Sequence, residues 1–287
     1  MSIKMILEAI NDVFQTDNKE YRAEFIEDYK NGKMKQGITL KPTDPEKCKA
    51  YPTVWLNGDE DKDYIYKIVK NLEESYLNNP YKDTLNIDKD FILSHVEKEL
   101  VPNTYIEESK SKGYFYYSFY PTDMIVRYIV ILEDSGLFRL SKRMIEDLNI
   151  SDSELEESAV TNMKNHLEFK NMGTMLAEIM GLSDEESLFF TSDYPMYVLT
   201  NINKLYGAGQ IVNVETLLRI QNMIHYDEFY ILPSSKHEVI ILPAFGNHSS
   251  AELRDMVHEV NITQVSENDY LSDQVLFVDE DCNISVA

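Results

Sequence analysis

No stretch of this chain keeps one hydrophobic period for long. Segments with apolar residues at helical spacing alternate with short β-branched and aromatic runs, and the longest apolar tract, Met124 to Leu132, is broken by Arg127. So short a tract falls far below the roughly 20 apolar residues that cross a bilayer, and no transmembrane segment is expected. The irregular order of the two periods excludes a regular βαβ series and points to an α+β fold, with mixed or antiparallel sheets and packed helices. At 287 residues the chain suits two lobes or one composite domain, and 43% hydrophobic residues supply a sizeable core.

Helical spacing is clear in Ile3, Ile6, Leu7, Ile10 and Val13-Phe14, with Tyr21, Phe25 and Tyr29 continuing the same face. Gly37–Leu40 and Thr53–Leu56 read as strands, residues 61–77 and 88–100 as helices, and the runs 114–120 and 124–132 as adjacent strands turning at Pro121-Thr-Asp123. A capping box, Ser151-Asp-Ser-Glu154, opens the next helix, because the serine hydroxyl and the glutamate each satisfy an orphan amide of the first turn. Further on, strands are expected at 196–200, 229–232, 238–242 and 275–278, and helices at 173–180, 214–224 and 250–260. The near-identical phrases Ile231-Leu-Pro233 and Ile241-Leu-Pro243 read as the two arms of a hairpin.

Charge is distributed unevenly. Residues 1–143 carry 25 acidic and 21 basic side chains, whereas residues 144–287 carry 25 acidic and 6 basic, net −19. A soft boundary is therefore placed near 145, separating an N-terminal lobe, 1–145, from an acidic C-terminal lobe, 146–287. The overall net charge of −23 opposes binding to a phosphate backbone, so direct nucleic-acid binding is not expected. A basic protein partner is the expectation instead, including a nucleic-acid-binding protein whose groove the acidic half would occupy. The amino terminus meets Glu8 and Asp12 too early for a secretory signal, and Cys48 and Cys282 form no CxxC, so a cytoplasmic protein without disulfides is expected.

The sharpest chemical candidate is Ser234-Ser235-Lys236-His237-Glu238. In one extended strand Ser235 and His237 would share a face, and Glu259 or Asp273 could orient the imidazole, as a nucleophilic serine requires. No G-x-S-x-G elbow accompanies them. The alternative is a turn whose hydroxyls bond the backbone. His-Glu pairs at 237–238 and 258–259, with His225 or His248, are the nearest approach to metal ligands, but the apolar stripe Leu253, Met256, Val257 and Val260 turns His258 toward solvent, and no metal is expected. Tyr206-Gly-Ala-Gly-Gln210 lacks both the dinucleotide fingerprint and a P-loop lysine, so it reads as a turn and no cofactor is expected. An interaction surface is sought at Tyr114, Tyr116 and Tyr120, which alternate along one strand face, and at the acidic Asp184, Glu185 and Glu186.

The phrases Met196-Tyr-Val-Leu-Thr-Asn201, Gly207-Ala208, Ile231-Leu-Pro-Ser-Ser-Lys-His-Glu-Val239, Met256-Val-His-Glu-Val-Asn261 and Leu271-Ser-Asp273 together resemble, in order and spacing, a family of Firmicutes proteins known only as a domain of unknown function. That family is distantly similar to another uncharacterised bacillus family. The likeness is strongest over 190–280 and reaches back through Pro121–Val126 to Pro52–Leu56 and Gly37–Leu40; the run 114–120 and the acidic stretch at Asp184-Glu-Glu186 depart from the pattern. The resemblance implies a bacterial cytoplasmic protein and brings no activity, cofactor or catalytic residue. The function expected is a non-enzymatic interaction or regulatory protein with an acidic surface; the alternative is a hydrolase-type enzyme built on Ser235 and His237.

Overall fold

The structure is a computed structural model describing residues 2–44, 52–58, 60–78, 87–132, 136–181, 196–233, 235–245 and 249–287. It is α+β, with three antiparallel sheets and packed helices. The chain forms two compact units, Met1–Ile87 and Asp88–Ala287, so residue 145 does not mark a division; Ile145 is buried inside the second unit. The charge step near 143 reflects surface composition, whereas the unit boundary follows which side chains share a core.

In the first unit, helix α1 (Ile3–Thr16) buries Ile6, Leu7, Ile10 and Phe14 against a sheet of β1 (Tyr21–Lys30), β2 (Lys33–Pro42) and β3 (Thr53–Trp55), and α2 (Lys62–Leu77) adds Ile65, Ile68, Val69 and Leu72. Residues 21–30 are thus a strand, not a continuation of α1. Asn31 and Gly32 both have positive φ, 54° and 72°, which is the two-residue hairpin turn whose twist matches paired strands, and it pairs Lys30 with Lys33. The turn outweighs the helical spacing of Tyr21, Phe25 and Tyr29.

The second unit begins with α3 (Lys89–His95), capped by Asp88, and runs directly into β4 (Val96–Pro102). The helix expected to reach residue 100 therefore stops at His95. From Val96 to Pro102 every residue is buried, and the polar ones survive only because neighbouring elements supply partners. Next come α4 (Ile106–Lys112), β5 (Tyr116–Phe119), β6 (Met124–Ile131), β7 (Leu137–Arg139), α5 (Lys142–Asp147) and α6 (Asp152–Asn165), the last opened by the Ser151–Glu154 capping box. Strand β6 pairs with β4 on one edge and with β5 and then β7 on the other.

The remaining elements are β8 (Leu167–Asn171), α7 (Met172–Met180), β9 (Tyr197–Asn201), a 3₁₀ segment (Gly207–Val212), α8 (Val214–Ile224), β10 (Phe229–Leu232), β11 (Val239–Pro243), α9 (Ser250–Thr263), β12 (Leu276–Val278) and β13 (Ile284–Val286). Their six strands form one sheet in the order β13-β12-β10-β11-β9-β8, with Ile231 opposite Ile241 in the expected hairpin. Leu100, Met124 and Val126 of the β4-β6-β5 sheet join Leu199, Phe229, Ile231, Val239 and Ile241 of the six-stranded sheet in one core, with Ala208 and Ile211 between them. Among the described residues no helix is long and apolar enough to cross a membrane.

Candidate functional site

The hairpin arms β10 and β11 stop at Leu232 and Val239, so Ser235, Lys236 and His237 lie in the connecting turn and not in an extended strand. The turn is pinned by backbone bonds: Ser235 N–H donates to Glu238 O at 3.2 Å, Lys236 N–H to Asp269 O at 2.9 Å, and Ala208 N–H to Lys236 O at 3.2 Å. The Ser235 hydroxyl accepts the His237 amide at 3.1 Å, the self-bonding expected of serine in a turn.

His237 has both ring nitrogens engaged. Nδ1 accepts the Tyr206 amide at 3.2 Å, which places the proton of the neutral ring on Nε2, and Nε2 donates to Asp269 Oδ1 at 3.1 Å. The carboxylate facing the imidazole is therefore neither Glu259 nor Asp273. Glu259 points to solvent from α9, and Asp273 instead accepts from Asn261 at 2.8 Å and pairs with the exposed His258 at 3.2 Å. Asp269 reaches the site from a turn closed by its own amide on Ser266 O, while the Ser266 hydroxyl donates to Asp269 Oδ2 at 2.7 Å. Burial alone would raise the Asp269 carboxyl, but the bonds from Ser266 and His237 outweigh it and hold it below its ordinary value. Its only sequence signal was the Ser-x-x-Asp turn pattern.

These groups line a half-open cleft of about 380 Å³. Its polar wall is Ser235, His237, Glu238, Gln264, Ser266 and Asp269; its apolar wall is Met172, Val198, Ile240, Val260 and Val265. A second, smaller apolar depression shares Ile240 and Val260 with it and continues along α9 past Leu232, Met256 and Val257. Met256, expected in the buried stripe, is 43% exposed there.

Behind the turn lies a buried ionic cluster that sequence reasoning missed. Strand alternation aims Glu97 and Glu99 of β4 to one side, and the β4–β6 register sets Glu99 opposite Arg127. Glu99 accepts Arg127 Nε at 2.6 Å and Arg139 Nε and Nη2 at 2.6 and 3.0 Å, and Arg139 Nη2 also donates to Tyr206 OH at 3.1 Å. Desolvation pushes the Glu99 carboxyl up, but Arg139 and then Arg127 overcome it, and the group is held below its ordinary value. Lys236 is buried with its Nζ 5.4 Å from the Tyr105 ring centre and 5.5 Å from that of Tyr206. Loss of hydration lowers its ammonium to about 8, with the Glu99 charge opposing that shift. On the same strand, Glu97 binds His166 Nδ1 at 2.6 Å and Asn201 Nδ2 at 3.3 Å.

The Gly-Ala-Gly phrase serves packing. A Cβ on Gly207 would lie 2.4 Å from Thr200 Oγ1 and 2.7 Å from His237 O, so the segment fits under the Ser235–His237 turn only as glycine. Tyr114 and Tyr116 are half-buried: Tyr114 lies under the Arg127 guanidinium, 5.6 Å from its ring centre, and Tyr116 packs on Val101, Tyr105 and Ile125. Tyr120 stands apart, 89% exposed, so the three do not share one surface. Ser234, His248, Cys48, Asp184, Glu185 and Glu186 lie outside the described residues.

A family model described as a family of unknown function, DUF5688, matches residues 3–279, and the chain belongs to that family. No curated protein and no solved structure matches the chain.

Proposed function

We propose that this member of the DUF5688 family is a non-enzymatic binding protein whose cleft beside the Ser235–His237 turn receives a cationic group from a basic protein partner. The observation that carries this reading is how the turn spends its hydrogen bonds. A nucleophilic serine needs a base nitrogen on its hydroxyl, yet Ser235 Oγ accepts a backbone amide and both nitrogens of His237 have other partners. What the cleft offers instead is recognition: the carboxylates Asp269 and Glu238 at its wall, beside an apolar surface that suits the methylene stem of lysine or arginine. The unit around it carries 34 acidic and 14 basic side chains, net −20, a field that draws a basic partner in.

The test has two arms. Titration of the full chain with lysine- and arginine-rich peptides is expected to show binding that weakens with salt and drops about tenfold, roughly 1.4 kcal/mol, in Asp269→Asn. Affinity indifferent to that substitution would overturn the reading. In the second arm a fluorophosphonate probe is expected to leave Ser235 unmodified; stoichiometric labelling that depends on His237 would replace this proposal with the hydrolase.

A further inference from the structure

The cleft and the smaller depression beside it form one groove, because Ile240 and Val260 line both. One end carries the polar groups of Ser266 and Asp269; the other is bounded by Leu232, Val257 and the exposed Met256. Met256 stands four residues before Val260 on α9, one turn or about 6 Å along the helix axis. The depression measures about 30 Å³, room for the tip of one small aliphatic side chain and not for an aromatic ring.

Charge and backbone pairing select the occupant. Residues three and four apart share a helix face, so the exposed Glu252 and Glu259 flank Met256 on α9, while Arg254 and His258 fall on the opposite side at 100° per residue. With Glu238 and Asp269 at the cleft, carboxylates stand at both ends of the groove and suit a basic partner. The strands that supply Ile240 and Val198 have no free edge: β11 pairs with β10 and β9, and β9 pairs with β11 and β8. An extended peptide gains its affinity by adding to an open sheet edge, which these strands do not offer. A helix satisfies its own amides and needs only a groove for its side chains.

We propose that this groove docks a helix of the basic partner, which presents lysine or arginine to the cleft and a valine-sized aliphatic side chain to the depression one turn away. Positions i and i+4 of such a helix point the same way with about 5–6 Å between their Cβ atoms, matching the one turn of α9 that separates Met256 from Val260. The inference rests on the reading of the cleft as a cation site, and adds to it a second anchor and the conformation of the partner.

Fluorescence anisotropy of the full chain with three helical Gln-rich peptides tests both anchors. The peptides are equal in length and net positive charge; each has one central Lys, with its further lysines confined to the ends. The first carries Val four residues from the central Lys, the second has Thr in place of that Val, and the third moves Val to two residues from the Lys. The first is expected to bind about five- to tenfold tighter than the others, since the Thr hydroxyl loses its water in an apolar depression and a side chain at i+2 faces away on a helix. Met256→Gln, at an exposed position, is expected to lower the affinity for the first peptide toward that of the second and to leave the second unchanged. Asp269→Asn is expected to weaken all three alike. Equal affinity for the Val and Thr peptides, in a chain that still responds to Asp269→Asn, would overturn the second anchor and leave the cation site standing. Indifference of every peptide to Asp269→Asn would overturn the cation site and this inference with it, and tightest binding by the third peptide would replace the helix with an extended partner.

Discussion

A Cβ on Gly209 would sit 2.0 Å from the Lys98 carbonyl oxygen, a backbone atom that cannot yield. Gly209→Ala is therefore expected to cost more than about 3 kcal/mol in urea unfolding, because the 3₁₀ segment must lift off β4 and open the core behind it. Lys236 acts in the opposite sense. Its folded ammonium titrates near 8 against 10.5 when solvated, so its burial cost is fully present below pH 8 and is relieved as pH rises toward 10.5. At pH 7, Lys236→Met is expected to stabilise the chain by about 1–3 kcal/mol, and the gain should shrink by pH 9.5. Urea unfolding of both proteins at the two pH values checks this; a variant less stable than the parent at pH 7 would show that the ammonium is already compensated by Glu99 and Asp269.

Among the elements, β4 bears the greatest electrostatic load. Its Glu97, Lys98 and Glu99 are all buried, and each is answered from elsewhere: by His166 and Asn201, by Glu156 of α6, and by Arg127 and Arg139 of β6 and β7. Glu99→Gln would leave two guanidiniums without their shared charge, and a loss of about 3–5 kcal/mol is expected by denaturant unfolding. Replacing the trio together, Glu99→Leu with Arg127→Met and Arg139→Leu, is expected to recover much of that loss, since apolar packing avoids the desolvation cost. The Glu99 carboxyl is held below its usual 4.5, so its contribution is fully present above about pH 4.5 and is lost as pH falls through its lower folded value. The strand was misread as helix because Val-Glu-Lys-Glu-Leu fits both periods over so short a span. Partners from β6, β7, β9 and the end of α6 make its extended form tenable.

For the whole molecule, the division at Ile87 and Asp88 has a consequence. Residues 88–287 hold both larger sheets, the cleft and the ionic cluster, and none of these draws a side chain from the first unit's core. Expressed alone, 88–287 is expected to unfold cooperatively and to keep the amide spectrum it has in the full chain. Loss of dispersed amide signals in two-dimensional NMR would contradict that independence.

Much of the architecture was present in local sequence. The capping box at Ser151 and Glu154, the paired Ile-Leu-Pro phrases at 231 and 241, and the apolar spacing of α1, α2 and α8 each specify an element through contacts a few residues apart. The site is not local in that sense. His237 takes its partners from Tyr206 and Asp269, about thirty residues away on either side, and Arg127 is neutralised by Glu99 and shares it with Arg139. A side chain's hydrogen-bond partner depends on which elements pack together and in what register. The sequence therefore determined that Ser235 and His237 lie close to each other, and only the tertiary structure decided that Tyr206 and Asp269, not Ser235, hold the imidazole.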